Sequence, residues 1–371
     1  MARRLRIALI LEQSLGHVTH ADNLRTILHS TDDVELDFRD VPFEATGWGA
    51  KVPLYASNWT VRAGMRARAA LRAASAAGPL DAAFIHTQVP AVLTGRWMKR
   101  VPTVVSIDAT PLQYDSLGEH YSHERGSDRV ERLKWKANRA CFRRAARVVS
   151  WSHWGKEGLV ADYDVAASKV DVIPPGVFLS RWQPPPAGRP GDPPVRILFV
   201  GGDLDRKGGT TLIEAFRRMR ASGRDVELHL VTKSPVAATD GIVVHASMTP
   251  NSAELVELYQ RCDVFCLPTR GDCLPMVLSE AGATGLPLVS TDVGAIGEIV
   301  RDGESGFLVP VDDPDRLTAV LTDLVGDAAL RRRLGDGAAA LVGHTFDAER
   351  NAHRLLDLLV DVARSSASGS R

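Results

Sequence analysis

Ile197-Leu-Phe-Val-Gly-Gly-Asp-Leu-Asp-Arg-Lys-Gly-Gly209 joins an apolar run to a glycine-rich turn with two adjacent bases, and Leu212, Ile213, Phe216 and Met219 follow at helical spacing. In order, these are a buried strand, a tight turn and an amphipathic helix, the unit from which parallel sheets are built. Downstream, strands at Val226–Val231, Ile242–Val244, Val264–Leu267, Leu288–Ser290 and Gly306–Val309 alternate with helical patterns near 210–221, 252–260, 275–284, 295–301 and 313–325. Upstream the same rhythm runs through strands Leu5–Leu11, Val34–Phe38, Ala82–His86, Thr103–Ile107, Arg147–Ser150 and Val170–Ile173, with helical patterns around 19–29, 58–77, 89–99, 129–145 and 153–163. Two such runs predict an α/β protein of two doubly wound parallel sheets.

Between them lies Gln183-Pro-Pro-Pro-Ala-Gly-Arg-Pro-Gly-Asp-Pro-Pro194. Proline lacks the amide donor and fixes φ, so neither a helix nor a central strand continues through it. The reading is an N-terminal domain over 1–183, a linker at 184–194 and a C-terminal domain over 195–345. Phe346 to Ala363, with Leu355, Leu356, Leu359 and Val362 on one face, is expected to form a helix packing back onto the first domain over 346–364. The tail 365–371 has nothing to bury and is expected to be disordered.

The 371 residues hold 45 basic and 45 acidic side chains, yet residues 1–185 carry 25 basic and 19 acidic ones. That distribution speaks against a nucleic-acid binder and leaves a basic N-terminal face for an anionic partner or for solvent. Four cysteines assemble neither a disulfide framework nor a four-ligand zinc pattern, and a reducing, cytoplasmic setting is expected. The run Ile7 to Leu11 is too short for a signal core or a membrane span. The stretch Arg129 to Arg147 sets Arg129, Arg132, Lys134, Lys136, Arg139, Arg143, Arg144 and Arg147 against Glu131 alone, around a stripe of Val130, Leu133, Ala137, Cys141 and Val148. Such a helix either lies on anionic lipid at the inner face of a membrane or shows a solvated basic face beside a core-facing stripe.

Ligands of open α/β sheets bind beyond the carboxyl ends of the strands, so four loops stand out. At Gly201 to Gly209, glycines admit a ligand to the backbone, and Arg206 and Lys207 can neutralise a diphosphate. In Asp272-Cys-Leu-Pro-Met-Val-Leu-Ser-Glu280, Pro275 suits a first helical position, which puts the amides of Leu274, Met276 and Val277 at a helix N-terminus. Asp272 and Glu280 either bracket a ligand's hydroxyls or serve as a cap and a solvated side chain. Leu15-Gly-His-Val-Thr-His20 offers Gly16 for close approach, with His17 and His20 as substrate contacts or incidental turn residues. Ser106-Ile-Asp-Ala-Thr-Pro111 places Asp108 and Thr110 at a strand end, Asp108 being an acid or base candidate or a turn cap.

Together these pieces resemble the family-four glycosyltransferases, the retaining group that includes glycogen-synthase-like and mannosyltransferase-like enzymes of GT-B type. The likeness is strongest over 195–325, where Arg206-Lys207-Gly208, the Pro268 strand end, Gly271 through Glu280, Ala281 to Ser290, Val293-Gly-Ala-Ile-Gly-Glu-Ile-Val300 and Asp302-Gly-Glu-Ser-Gly-Phe-Leu-Val309 follow in order. Val172-Ile-Pro-Pro-Gly-Val177 is similar to the family's entry to its linker. The resemblance implies two Rossmann-like domains facing across a cleft, an acceptor-binding one and then a donor-binding one. It implies transfer of a hexose-type sugar from a nucleoside-diphosphate-sugar to a sugar, lipid-linked or small-molecule hydroxyl acceptor, with no metal and no cofactor. The donor-binding set is then Gly16, Gly201, Gly202, Arg206, Lys207, Asp272, Cys273, Leu274, Pro275, Met276, Val277 and Glu280, and the catalytic set is Arg206, Lys207, Asp272 and Asp108. Glu280 would bind the nucleotide ribose. The family pattern has glutamate where Asp272 stands and often histidine where Asp108 stands.

Acceptor loops are expected around 12–20, 40–60 and 108–127, where Trp48, Trp59, Tyr114, His120, Tyr121 and His123 offer stacking or hydrogen bonds, or serve as core and loop anchors. A nucleotide-sugar epimerase, or a nucleotide-sugar-binding protein without turnover, fits the same architecture. A nicotinamide dehydrogenase does not, since neither domain's first strand leads into G-x-G-x-x-G.

Overall fold

The computed structural model describes residues 3–14, 16–29, 34–44, 51, 53–117, 126–186, 188–189, 194–237 and 239–368. It divides into two compact units. Unit 1 comprises residues 1–115, 124–175 and 348–371, and unit 2 comprises 116–123 and 176–347. In chain order the elements up to residue 172 are β1 (Leu5–Gln13), α1 (His17–Leu28), β2 (Val34–Pro42), α2 (Pro53–Ser57), α3 (Trp59–Ala76), β3 (Ala82–His86), α4 (Gln88–Ala91), β4 (Thr103–Ile107), α5 (Pro111–Ser116), α6 (Asp128–Arg144), β5 (Arg147–Ser150), α7 (His153–Tyr163) and β6 (Val170–Val172). Then come β7 (Val195–Val200), α8 (Gly209–Ala221), β8 (Val226–Val231), β9 (Ile242–His245), α9 (Ala253–Arg261), β10 (Val264–Leu267), α10 (Met276–Ala283), β11 (Leu288–Thr291), β12 (Gly306–Val309), α11 (Pro314–Gly326), α12 (Ala328–Thr345) and α13 (Ala348–Ser368).

Each unit holds a six-stranded sheet, in order β2-β1-β3-β4-β5-β6 and β12-β11-β10-β7-β8-β9, and the paired strands are parallel. In unit 1 both faces are apolar because successive strand residues point to opposite sides. Ala8 and Ile10 of β1, with Ala83 and Ile85 of β3, join a core with Ala63, Ala67 and Leu71 of α3 and Phe142 of α6. Ile7, Leu9 and Leu11, with Ala82 and Phe84, face α1 and the α13 residues Ala352, Leu355, Leu359 and Val362. Full burial of Leu359 alone stabilises by roughly 1.5–3 kcal/mol.

Several boundaries differ from the sequence reading. The division falls at Pro175 and Gly176, ahead of the proline run, because Val177 pairs with Asp347 and Trp182 is buried against Tyr259, all within unit 2. The last helix begins at Ala348 and runs to Ser368, so 365–368 is helical and only 369–371 of the tail lies outside the described residues. A helix already docked on a core propagates into alanine and serine at little cost per residue. The basic helix ends at Arg144, and Arg147 opens β5 with an ion pair to Asp171 at 2.6 Å. Of the helix predicted at 89–99 only Gln88–Ala91 forms, and 295–301 is reduced to a 3-10 turn at Ile296–Glu298. Helix α12 escaped the sequence reading altogether. Its Gly335 and Gly337 lie so close to the chain that a Cβ would come within 2.2 Å of the Gly285 carbonyl and 2.1 Å of the Glu304 carbonyl. These glycines therefore serve packing and do not break the helix.

Candidate active site

In unit 2 the turn after β7 folds onto the segment after β10. Gly208 sits at φ +74°, and a Cβ there would meet the Pro268 carbonyl oxygen at 1.8 Å, so only glycine permits the approach. Gly294, at φ +59°, would drive a Cβ to 2.2 Å from the Asp272 carbonyl oxygen, which brings the loop after β11 onto the same place. The contact is laced by backbone: Arg270 N–H donates to the Arg206 carbonyl at 2.9 Å and Ala295 N–H to that of Cys273 at 2.8 Å.

These approaches bring Arg206, Lys207, Asp272 and Cys273 together with the start of α10. The Arg206 guanidinium donates to the Gly271 carbonyl at 2.9 Å, and Lys207 pairs with the Asp272 carboxylate, the two side chains 14% and 12% exposed. Gly201 and Gly202 lie in the same turn, Gly202 facing open space. Pro275 occupies the N-cap rather than the first helical turn, no side chain caps α10, and the amides of Met276 and Val277 open the helix, preceded by buried Leu274. Glu280, on the same helix, is buried and accepts a hydrogen bond from Tyr259 Oη at 2.9 Å. Burial raises its carboxyl pKa to about 7 against the opposing pull of that bond, and burial likewise pushes the Tyr259 phenol well above its ordinary value. Glu280 is therefore no solvated side chain, and Asp272 is held by a cation.

Gly16 and Asp108 belong to unit 1, where a second polar cluster lines the carboxyl edge of the sheet. Gly16 is the uncapped N-cap of α1, with open space where a Cβ would stand. His17 Nδ1 lies 3.0 Å from His86 Nε2, and His17 Nε2 lies 3.8 Å from Asp108 Oδ2. Trp151, at the end of β5, packs its ring against those of His17, His20 and His86. Burial, then the charge of His17, lowers His20 to about 3, and burial holds His86 well below the usual imidazole range. Glu12, buried at the end of β1, accepts from Thr87 Oγ1 at 2.6 Å, Ser14 Oγ at 2.6 Å and Trp59 Nε1 at 3.2 Å. The sequence reading passed over Glu12, His86 and Trp151. The strand-end rule that singled out Asp108 would have found His86, the last residue of β3. Of the acceptor-loop candidates, Trp48, His120, Tyr121 and His123 lie outside the described residues.

Residues 194–327 match the family described as Glycosyl transferases group 1, and residues 25–181 match Glycosyltransferase Family 4. The chain is 37% identical over 191 residues to the MMP alpha-(1->4)-mannosyltransferase of Mycolicibacterium hassiacum, which covers 48% of this chain and 45% of that protein. It is 29% identical over 233 residues to the D-inositol 3-phosphate glycosyltransferase of Xylanimonas cellulosilytica, covering 56% and 55% of the two chains. The matches thus span about half the length of these curated relatives. Among solved structures, sucrose-phosphate synthase from Thermosynechococcus elongatus superposes with a TM-score of 0.75 at 16% identity, over 98% of this chain and 100% of that one. Anabaena HepE in complex with UDP-glucose gives 0.69 at 14% identity, over 96% and 100%.

Proposed function

This chain belongs to the glycosyltransferases of group 1 and family 4, and from that premise we propose that it moves a hexose-type sugar from a nucleoside-diphosphate-sugar donor to a hydroxyl acceptor, with retention at the anomeric carbon. The observation that carries the reading is the folding of the Arg206-Lys207 turn onto Pro268 and Asp272 at the start of α10. Two fixed cations and unpartnered helix amides converge there, and a departing diphosphate needs such a place. The Anabaena neighbour solved with UDP-glucose shares this fold, which supports a nucleotide-sugar as donor. The relatives named for mannosyl transfer and for inositol phosphate support a hexose and a polyhydroxylated acceptor.

In this reading Arg206, Lys207 and the amides of Met276 and Val277 meet the negative charge that grows on the phosphate as the glycosidic bond breaks. Arg206 is tethered to Gly271 and Lys207 to Asp272, so both cations stand in place before the reaction and little reorganisation accompanies it. Glu280 accepts from the ribose diol. The acceptor hydroxyl attacks from the face the diphosphate leaves, and its proton passes to the departing phosphate oxygen. Charge is then balanced without a metal ion or organic cofactor. Neither the matched families nor the relatives described lend support to an epimerase or a binding protein without turnover.

Thermal melting with UDP, GDP, ADP and their sugar conjugates tests the reading. One diphosphate family stabilises the protein, by about 2.7 kcal/mol at a hundredfold excess over Kd, and Arg206→Ala and Glu280→Ala both lose the effect. Absence of stabilisation by every nucleotide overturns it.

A second observation favours peripheral contact with an anionic membrane. Val130 and Leu133 on α6 are 45% and 68% exposed, amid the basic residues of that helix. No helix among the described residues is long and apolar enough to cross a membrane.

A further inference from the structure

We propose that His17 and Asp108 seat a single sugar hydroxyl between them, and that His86 fixes the His17 tautomer that receives it; the proposal rests on the transfer reading above. His17 opens α1, which follows β1, and Asp108 stands on the loop after β4, both at one edge of the unit 1 sheet. Their facing atoms are 3.8 Å apart, too far for a direct hydrogen bond and close enough for one oxygen to touch both. The side chains are 14% and 21% exposed, so a ligand reaches them. Asp108 Oδ1 already accepts from the Ala109 amide at 2.8 Å, which leaves Oδ2 for the ligand.

The position of the proton follows from His86. This ring is wholly buried and neutral, carrying one N–H, and its Nε2 lies 3.0 Å from His17 Nδ1. Its own Nδ1 is buried with no hydrogen-bond partner. With the proton on that Nδ1, a buried donor would go unsatisfied, and His17 would have to donate from its Nδ1 and turn a bare Nε2 lone pair toward the Asp108 carboxylate. With the proton on His86 Nε2 the buried Nδ1 keeps only an unpaired lone pair in place of an unpaired N–H, and the repulsion at Asp108 is removed. His17 then accepts at Nδ1 and carries its N–H at Nε2, facing Asp108.

A hydroxyl placed between them accepts from His17 and donates to Asp108. An ether oxygen satisfies only the first of these and an ammonium only the second, so the seat selects for hydroxyl over both. The charged and titratable neighbours are His20 on α1, His86 at the end of β3 and Asp108 after β4. Trp151 packs edge-on to His17 at 5.3 Å and stacks on His86 at 5.3 Å, which holds both rings in register. His86 is thus a positioning residue, while His17 and Asp108 touch the ligand.

Two substitutions separate the nitrogens of His17. In His17→Gln the amide N–H stands where Nε2 stood, whereas His17→Asn fills only the Nδ1 position. Using the full chain, with UDP-glucose and GDP-mannose as donor probes and water as acceptor, release of nucleoside diphosphate should slow by about 100-fold in kcat for the asparagine variant, and the glutamine variant should recover most of it. KM for the donor should change less than about threefold, as suits an interaction that orients the reacting group. Equal rates in the two variants, both fast or both slow, overturn the proposal.

Nitrogen-15 NMR of histidine-labelled protein supplies a readout free of turnover. His17 should show the Nε2–H tautomer, and an Nδ1–H tautomer overturns the proposal. A shift of that signal with UDP-glucose or GDP-mannose but not with UDP or GDP assigns the hydroxyl to the transferred sugar. A shift with myo-inositol assigns it to the acceptor, and no shift with any of these overturns the seat. Failure of the transfer reading looks different: the native protein is neither stabilised by any nucleoside diphosphate nor releases one, while the NMR titration with myo-inositol still decides whether the seat exists.

Discussion

Tyr259 Oη donates to Glu280 Oε2 at 2.9 Å where both side chains are buried, so a titrating carboxyl of unit 2 sits beneath the surface facing a phenol donor. Burial raises the Glu280 pKa from 4.5 to about 7. An acid raised on folding holds its proton longer in the native state than in the unfolded chain. Its stabilisation is therefore complete below about pH 4.5 and is lost as pH rises through about 7. The loss is on the order of 3 kcal/mol. Urea denaturation at pH 5 and pH 8 should show Glu280→Gln with a shallower pH slope than the native protein. Identical slopes would mean that Glu280 does not titrate in this window.

Tyr259→Phe removes the one interaction that pulls the Glu280 pKa down. The descending limb of the stability curve should move to higher pH, with a cost of about 1–3 kcal/mol above pH 7 where the ionised carboxylate lacks its donor. A limb that stays in place would separate Tyr259 from Glu280.

Lys207→Met leaves the Asp272 carboxylate mostly buried without its cation, and about 3 kcal/mol of stability should go with it. The double variant Lys207→Met with Asp272→Asn should recover most of that loss. Additive losses in a double-mutant cycle by urea denaturation would show that the two groups do not couple.

Gly208→Ala forces a Cβ into the Pro268 carbonyl, whereas Gly202→Ala meets open space. The first should cost several kcal/mol and the second stay within about 0.5 kcal/mol of the native protein. A well-folded Gly208→Ala protein that keeps its response to nucleoside diphosphates would contradict the loop geometry on which the donor site is argued.

Leu133→Glu changes a side chain 68% exposed, so folding should be unaffected while flotation with anionic phosphatidylglycerol vesicles falls. Neutralising Arg139, Arg143 and Arg144 should weaken the same binding and its salt dependence. Equal flotation of native and variant proteins would remove the membrane reading.

Both sheets were legible in the sequence because buried parallel strands leave continuous apolar runs that turn signals interrupt. The meeting of Arg206, Lys207 and Asp272 was legible for a related reason, since the two bases are adjacent and Asp272 lies close before α10. Helix α12 was not, because its alanines and glycines give a weak apolar period and only the backbones of Gly285 and Glu304 explain the glycines. The His17, His86 and Asp108 cluster was half legible. Each residue ends a strand, follows one directly or begins the helix after one, but their meeting depends on the register that sets His86 beside Leu11 and Ser106. A period does not encode register between strands far apart in sequence.

Helix α13 covers one face of the unit 1 sheet, yet residues 176–347 of unit 2 are made before it. At ordinary translation speeds about 10–40 s separate synthesis of β6 from synthesis of α13. During that interval Ile7, Leu9 and Phe84 have no cover from Leu355 and Leu359, and the nascent protein carries an apolar strip that only its own later residues can close. Unit 2 therefore has the opportunity to fold first on the ribosome, and the first-made half of the chain reaches its native state last.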